Sequence, residues 1–182
     1  MKFLLGTVIL ALIWIPSITQ ARIGDTLAEC EQRYGSSSAP GSKVLPSSFR
    51  ADVGSIHVFY PEGWEIWTCI LDGVCVLQVY QKQLKGEIRF PLHEDEVPII
   101  TKAESGGQKW KYSGTFSGST KDSKTGNTLT WETVRYLRPD GVSLMLTNNR
   151  SYISVSSPRW HTASQEAYAK ADVNRLKKLE KF

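Results

Sequence analysis

The stretch WEIWTCILDGV, residues 64–74, returns in outline as WETVRYLRPDGV, residues 131–142. Both open on Trp-Glu, run through apolar and β-branched residues, and close on Asp-Gly-Val. Asp-Gly between two such runs is a β-hairpin signal, because Asp and Gly tolerate the positive φ that tight hairpin loops need. Upstream of each hairpin lies a short helical signal that ends in glycine, GDTLAECEQRYG at residues 24–35 and HEDEVPIITKAESGG at residues 93–107. From helix-ending glycine to hairpin glycine is 38 residues in the first half (Gly35 to Gly73) and 35 in the second (Gly106 to Gly141). The matched order and spacing predict two tandem units, about residues 22–85 and 90–157, each a helix followed by an antiparallel meander. A unit of that size buries little on its own, so the two are expected to merge into one sheet. The fold class predicted is α+β: one domain over residues 22–160, with a C-terminal helix over residues 161–182.

Local signals fill in the elements. Thr26 and Glu29 have capping-box spacing and Gly35 suits a left-handed stop. Leu27, Cys30, Glu31 and Tyr34 then share one helix face. The second helix has acids in its first turn, and Pro98 is expected near the start of a short helix. Strands are expected over residues 55–60, 64–70, 74–80, 110–116, 129–137 and 142–147, with loops over 36–48 and 117–127. Residues 163–182 carry an apolar stripe of Ala167, Tyr168, Ala171, Leu176 and Leu179 at helical spacing, with a basic end.

Composition narrows the function classes. Lys2, the 13-residue apolar run at residues 3–15, Pro16, and the small residues Thr19 and Ala21 make a secretory signal-peptide pattern over residues 1–21. The run is shorter than the ~20 residues that span a bilayer. The mature chain is therefore expected to start at Arg22, to be secreted or periplasmic, and to have no stable membrane insertion. Without Lys2 the formal charge falls from +4 to +3, and the last thirteen residues alone carry +3. The near-neutral remainder argues against a nucleic-acid partner.

Taking residues 71–73 and 139–141 as equivalent three-residue loops fixes the strand registers. In the second hairpin Val134, Tyr136, Val142, Leu144 and Leu146 form a core face. Thr133, Arg135, Leu137, Ser143, Met145 and Thr147 form the other. The same register gives the first hairpin a core face of Trp64, Ile66, Ile70, Val74, Val76 and Tyr80. Its opposite face receives Glu65, Trp67, Cys69, Cys75, Leu77 and Val79. Three cysteines allow one internal disulfide. This register opposes Cys69 to Cys75, within disulfide range, and leaves Cys30 reduced. The second face is too apolar for a plain solvated surface. Either the C-terminal helix covers it, or Trp67, Leu77, Val79, Arg135 and Met145 are partner-binding anchors.

Catalytic and cofactor motifs are absent from the sequence: it holds no G-x-S-x-G, H-E-x-x-H, C-x-x-C, P-loop or G-x-G-x-x-G. His57, His93 and His161 are far apart, and no metal site or cofactor is implied. A hydrolase site would have to converge from residues such as His57, His93 and Glu96. Glu94, Asp95 and Glu96 are accounted for as a helix first turn, and Asn149-Arg150-Ser151 is a single glycosylation sequon.

The helix opening with Gly24 and Thr26 and closing with Gly35, followed by an antiparallel sheet, resembles the β-lactamase inhibitor protein superfamily. It also resembles the related small lipoproteins of the outer-membrane barrel-assembly machinery. Openings of this "GxTxxxCxxRYG" type are similar to those of uncharacterised exported bacterial proteins. The resemblance spans about residues 23–155. It implies two tandem units whose joined sheets form a concave face that grips a partner. The chain departs from it in lacking a lipoprotein cysteine, in its C-terminal helix and in Pro98. The expected function is an exported, non-catalytic module that binds another exported or envelope protein through one sheet face. The alternative is the exported hydrolase.

Overall fold

A computed structural model describes residues 22–41, 43–46, 48–85, 88–121 and 128–179. The expected signal peptide lies outside the described residues. Among them are α1 (Leu27–Tyr34), β1 (Ser55–Phe59), β2 (Trp64–Leu71), β3 (Val74–Lys82), β4 (Leu84–Lys85) and β5 (Ile88–Arg89). There follow α2 (Glu96–Glu104), β6 (Lys111–Lys121), β7 (Thr128–Leu137), β8 (Ser143–Thr147), β9 (Ile153–Ser156) and α3 (Pro158–Leu179). The fold is α+β: one seven-stranded antiparallel sheet in the order β1-β2-β3-β9-β8-β7-β6, with α3 at the C-terminal end. β4 and β5 form a separate two-stranded ribbon.

α1 starts where the sequence says it should. Thr26 Oγ1 accepts the Glu29 N–H at 3.3 Å, Glu29 Oε2 accepts the Thr26 N–H at 2.7 Å, and Gly35 ends the helix at φ 87°. In α2, Pro98 is the third helical residue, where its missing N–H has no helical acceptor to lose. Both helices pack on one face of the sheet. Cys30 of α1 and Ile100 of α2 join Ile66, Ile70, Cys75, Tyr80, Leu144, Ile153 and Val155 in the main core. Burying that many aliphatic side chains, at ~1.5–3 kcal/mol each, supplies most of the drive to fold.

β9 was not anticipated, and it joins the two halves. It pairs with β3 through Leu77↔Ser156 to Tyr80↔Ile153, and with β8 through Ser143↔Ser156 to Leu146↔Ile153. Its Ile-Ser-Val-Ser alternation puts Ile153 and Val155 in the main core and turns Ser154 and Ser156 to the opposite face. α3 begins at Pro158, earlier than expected. Ser157 caps it, its Oγ accepting the Trp160 N–H at 3.2 Å, and proline is well suited to the first helical position.

The two hairpin loops are not equivalent, and this corrects the expected register. Leu71 pairs with Val74, so the first loop is only Asp72-Gly73, both at positive φ (49° and 82°). The second loop has three residues, 139–141, with Arg138 N–H bonded to Val142 O at 2.9 Å and Gly141 at φ 84°. Shortening the first loop by one residue moves Cys75 opposite Ile70, onto the helix-covered face. A bulge at Val76 restores the expected faces from Leu77 onward. Cys69 and Cys75 therefore lie on opposite faces, no Cys69–Cys75 disulfide forms, and all three cysteines are free thiols. Val76 joins the second core, with Val74 packed against it, rather than the first. The second hairpin keeps its expected register, Val134↔Leu146, Arg135↔Met145 and Tyr136↔Leu144.

Candidate functional site

The sheet face away from α1 and α2 is built from rows of residues that run across the strands. One row reads Val58, Trp67, Val79, Ser154, Met145, Arg135. The next reads Ile56, Cys69, Leu77, Ser156, Ser143, Leu137. Four of the five expected anchors thus fall in one row and Leu77 in its neighbour. They do not share an environment. Trp67 is 1% exposed, and Leu77 and Val79 are buried with it in a second core closed by Phe49 and Trp160. The Phe49 ring sits 6.0 Å from Trp67 and 6.4 Å from Trp160, all tilted contacts of aromatic packing. These three residues are not an exposed binding surface. Arg135 and Met145, farther along the row, are half-buried.

Beyond β9 the same face is open. A groove of about 580 Å³ is floored by Met145, Thr147, Thr133 and Thr130 and walled by Trp131 and Phe116 on one side. Its other end is closed by Trp160 and His161 of α3, and Asn148 and Asn149 of the β8–β9 turn stand at its rim. The sequon asparagine, Asn149, accepts the Ser151 N–H at 3.1 Å in that turn. No lysine, arginine, aspartate or glutamate is among the described residues lining the groove. Trp131 and Phe116 are each 48% exposed, although they are large aromatic side chains on the sheet face. They are diagonal neighbours, since Gly118 faces Trp131 and Phe116 faces Thr133. A Cβ on Gly118 would stand 2.3 Å from Trp131 Cζ2, so the indole lies directly over that glycine. Neither Trp131 nor Phe116 was expected as a site residue. Parity along β7 from Thr133 would have placed Trp131 on this face, but Gly118 is matched to it only by the β6–β7 register.

His161 closes the inner end through polar contacts. Its Nε2 lies 3.2 Å from Ser143 Oγ and 3.1 Å from Ser156 Oγ, which are 2.9 Å from each other. Burial, and then the charge of Arg135, hold the imidazole below its usual pKa, so it is neutral at pH 7. No carboxylate hydrogen-bonds to His161 among the described residues, and Ser143 is fully buried. Both serine hydroxyls are buried and bonded to each other and to His161, so neither is an exposed nucleophile beside the imidazole.

Of the residues of the alternative site, His93 and Glu96 line one cavity of about 280 Å³ with Lys82 and Arg150, and His57 is not part of its lining. His57 contacts Ser37 and Ser55 beside α1, at 3.4 and 3.1 Å. His93 lies two residues before the N-cap Asp95 of α2, its backbone N–H donated to Glu96 Oε2 at 2.7 Å, while Glu96 also pairs with Lys82. No group of three or more His, Cys, Asp or Glu among the described residues is placed to hold a metal ion. No helix among them is long and apolar enough to cross a membrane. Comparison with known proteins finds no matching family model and no match among curated proteins or solved structures.

Proposed function

We propose that this chain is an exported, non-catalytic binding module that receives a segment of another exported or envelope protein in the groove beyond β9. The observation that carries the reading is the pair Phe116 and Trp131, two aromatic side chains left half-exposed over an uncharged floor. Aromatic anchors around a partly apolar cleft are the usual centre of a protein-binding hot spot, and soluble surfaces seldom leave two large rings side by side without a use. Met145 in the floor and Arg135 paired with it beside the groove fit the Met and Arg enrichment of such surfaces. The site differs from the one first expected in losing Trp67 and Val79 to the core, while Leu77, 1% exposed, is a buried part of the groove lining.

The test immobilises the chain from Arg22 and compares wild type with Trp131→Ala and Phe116→Ala in an envelope or secreted extract. A protein retained by wild type and lost from both variants, at unchanged thermal stability, supports the reading. Retention of the same proteins by all three baits overturns it. The export part is tested separately, by N-terminal sequencing of secreted material. Arg22 is the expected first residue, and an intact Met1 contradicts it.

A further inference from the structure

Cys30 and Cys75 are far apart in sequence and fully buried in one core cluster. The segment leading into α1 is stitched to the start of β3. The Gly24 N–H donates to Cys75 O at 2.8 Å, the Cys75 N–H donates to Asp25 O at 2.7 Å, and Thr26 bridges Val74. Cys30 follows one turn later, its N–H bonded to Thr26 O at 3.0 Å, and so comes to lie over Cys75. The Cys75 thiol is directed towards Leu77 O at 3.7 Å, on the helix-covered side of the sheet that also holds Cys30. Cys69 is on the other side of the sheet, under Phe49 and Trp160, with no second sulfur in its cluster.

We infer that Cys30 and Cys75 are a disulfide pair, closed when the chain folds in oxidising surroundings and present as two thiols when it does not. The step needs a disulfide as oxidant. One cysteine thiolate attacks a sulfur of oxidised glutathione and expels one glutathione thiolate. The second cysteine then attacks the mixed disulfide and expels the other, so two protein thiols become one S–S bond and one glutathione disulfide becomes two thiols. Both sulfurs are shielded in the folded chain, so the exchange belongs to folding rather than to the finished structure. The bond would tie α1 to the sheet across a long loop. A long loop constrains the unfolded chain more than the short Cys69–Cys75 loop would.

The experiment refolds the reduced chain from Arg22 in a reduced/oxidised glutathione buffer, which makes it independent of export and of the groove. The product is denatured without reductant, its free thiols are counted with a maleimide, and its peptides are mapped. Cleavage before Asp72 separates Cys69 from Cys75. One free thiol, on Cys69, with a cross-linked Cys30–Cys75 peptide is the expected result. Cys69→Ser should then leave no free thiol, and reductant should lower the denaturant midpoint of wild type but not of Cys75→Ser. Three free thiols in the refolded product, or any bond that includes Cys69 or joins two chains, overturns the inference.

Discussion

Two ends of one row of side chains lead different lives. Val58, Trp67 and Val79 are sealed under Phe49 and Trp160, while Met145 and Arg135 in the same row, and Trp131 farther along β7, stay partly open. The change of character falls on β9, whose Ser154 and Ser156 replace the aliphatic residues of β1 to β3. An apolar floor attracts a cover, and here the cover comes from the loop before β1 and the first turn of α3. A floor of serine and threonine gains little from being covered, and the helix does not follow it. Past its first turns α3 leaves the sheet, with Ala163 and Ala167 beside Asp52, Val53 and Leu71 at the hairpin end. Tyr168 is left outside, stacked on Arg50 at 3.8 Å.

The largest effect that can break this contrast is in the covered half. Trp67→Ala is expected to cost ~3–5 kcal/mol of stability, as removal of a buried aromatic side chain does. Trp131→Ala, on the same face, should stay within ~0.5 kcal/mol of wild type, as surface changes usually do. Denaturant midpoints of the two variants check both. Equal losses at the two positions would erase the distinction between core and groove.

The next effect compares the two faces of the sheet. The helix-covered face buries a chain of polar groups. Glu104 is fully buried, hydrogen-bonded to Tyr80, whose hydroxyl also lies 3.0 Å from that of Tyr34, and its carbonyl accepts from Arg138. Burial pushes the Glu104 carboxyl up from 4.5 to about 7. A folded-state value above the unfolded one means that protonation favours the fold. The contribution is fully present below about pH 4.5 and is lost as pH rises towards about 7. The loss over that window is about 3 kcal/mol at most. Glu104→Gln, neutral at every pH, should flatten this part of the stability profile relative to wild type. Parallel profiles for the two proteins would show that Glu104 does not control it.

The sequence shows why some of this was legible and some was not. The helix caps, the α+β class and the second hairpin depend on neighbours a few residues apart: Thr26 with Glu29, and Arg138-Pro139 with Gly141. Proline pre-sets the first turn position of the longer loop, and the first hairpin has none there; Leu-Asp-Gly-Val was open to a two-residue reading. Treating the loops as alike displaced Cys75 and hid its proximity to Cys30. β9 is four residues long, half of them serine, and its place between the two halves depends on pairings with β3 and β8, which nothing local encodes. The groove was harder still. Trp131 served as the marker of a repeated phrase, yet it faces away from the side that holds Trp64, because the two stretches differ by one residue ahead of Asp-Gly. Its exposure follows from where α3 stops covering the sheet, a tertiary fact.

In the open half, Trp131→Ala should cost little stability but at least ~2 kcal/mol of partner binding if the indole is an anchor. Calorimetric titration with the captured partner reads this directly, and unchanged affinity removes Trp131 from the site.

The smallest expected stability effect is also the sharpest probe of how the groove is built. Gly118 sits opposite Trp131, and a methyl group there would overlap the indole at Cζ2 and Cε2, 2.3 and 2.6 Å away. Its φ is not in the left-handed region, so alanine meets no backbone strain. Alanine within a strand should even recover part of the ~0.5–1 kcal/mol that glycine costs in conformational freedom. Against that gain stands the displaced ring, whose packing on the glycine surface is lost. The two terms nearly cancel, so Gly118→Ala should unfold close to wild type while binding the partner as poorly as Trp131→Ala. The double variant decides between this account and a direct contact from Gly118. If the glycine acts only by seating the indole, adding Gly118→Ala to Trp131→Ala changes affinity no further, and the coupling equals the whole effect of the single change. If the losses add, Gly118 touches the partner itself, and the groove floor extends along β6 beyond the Trp131 ring.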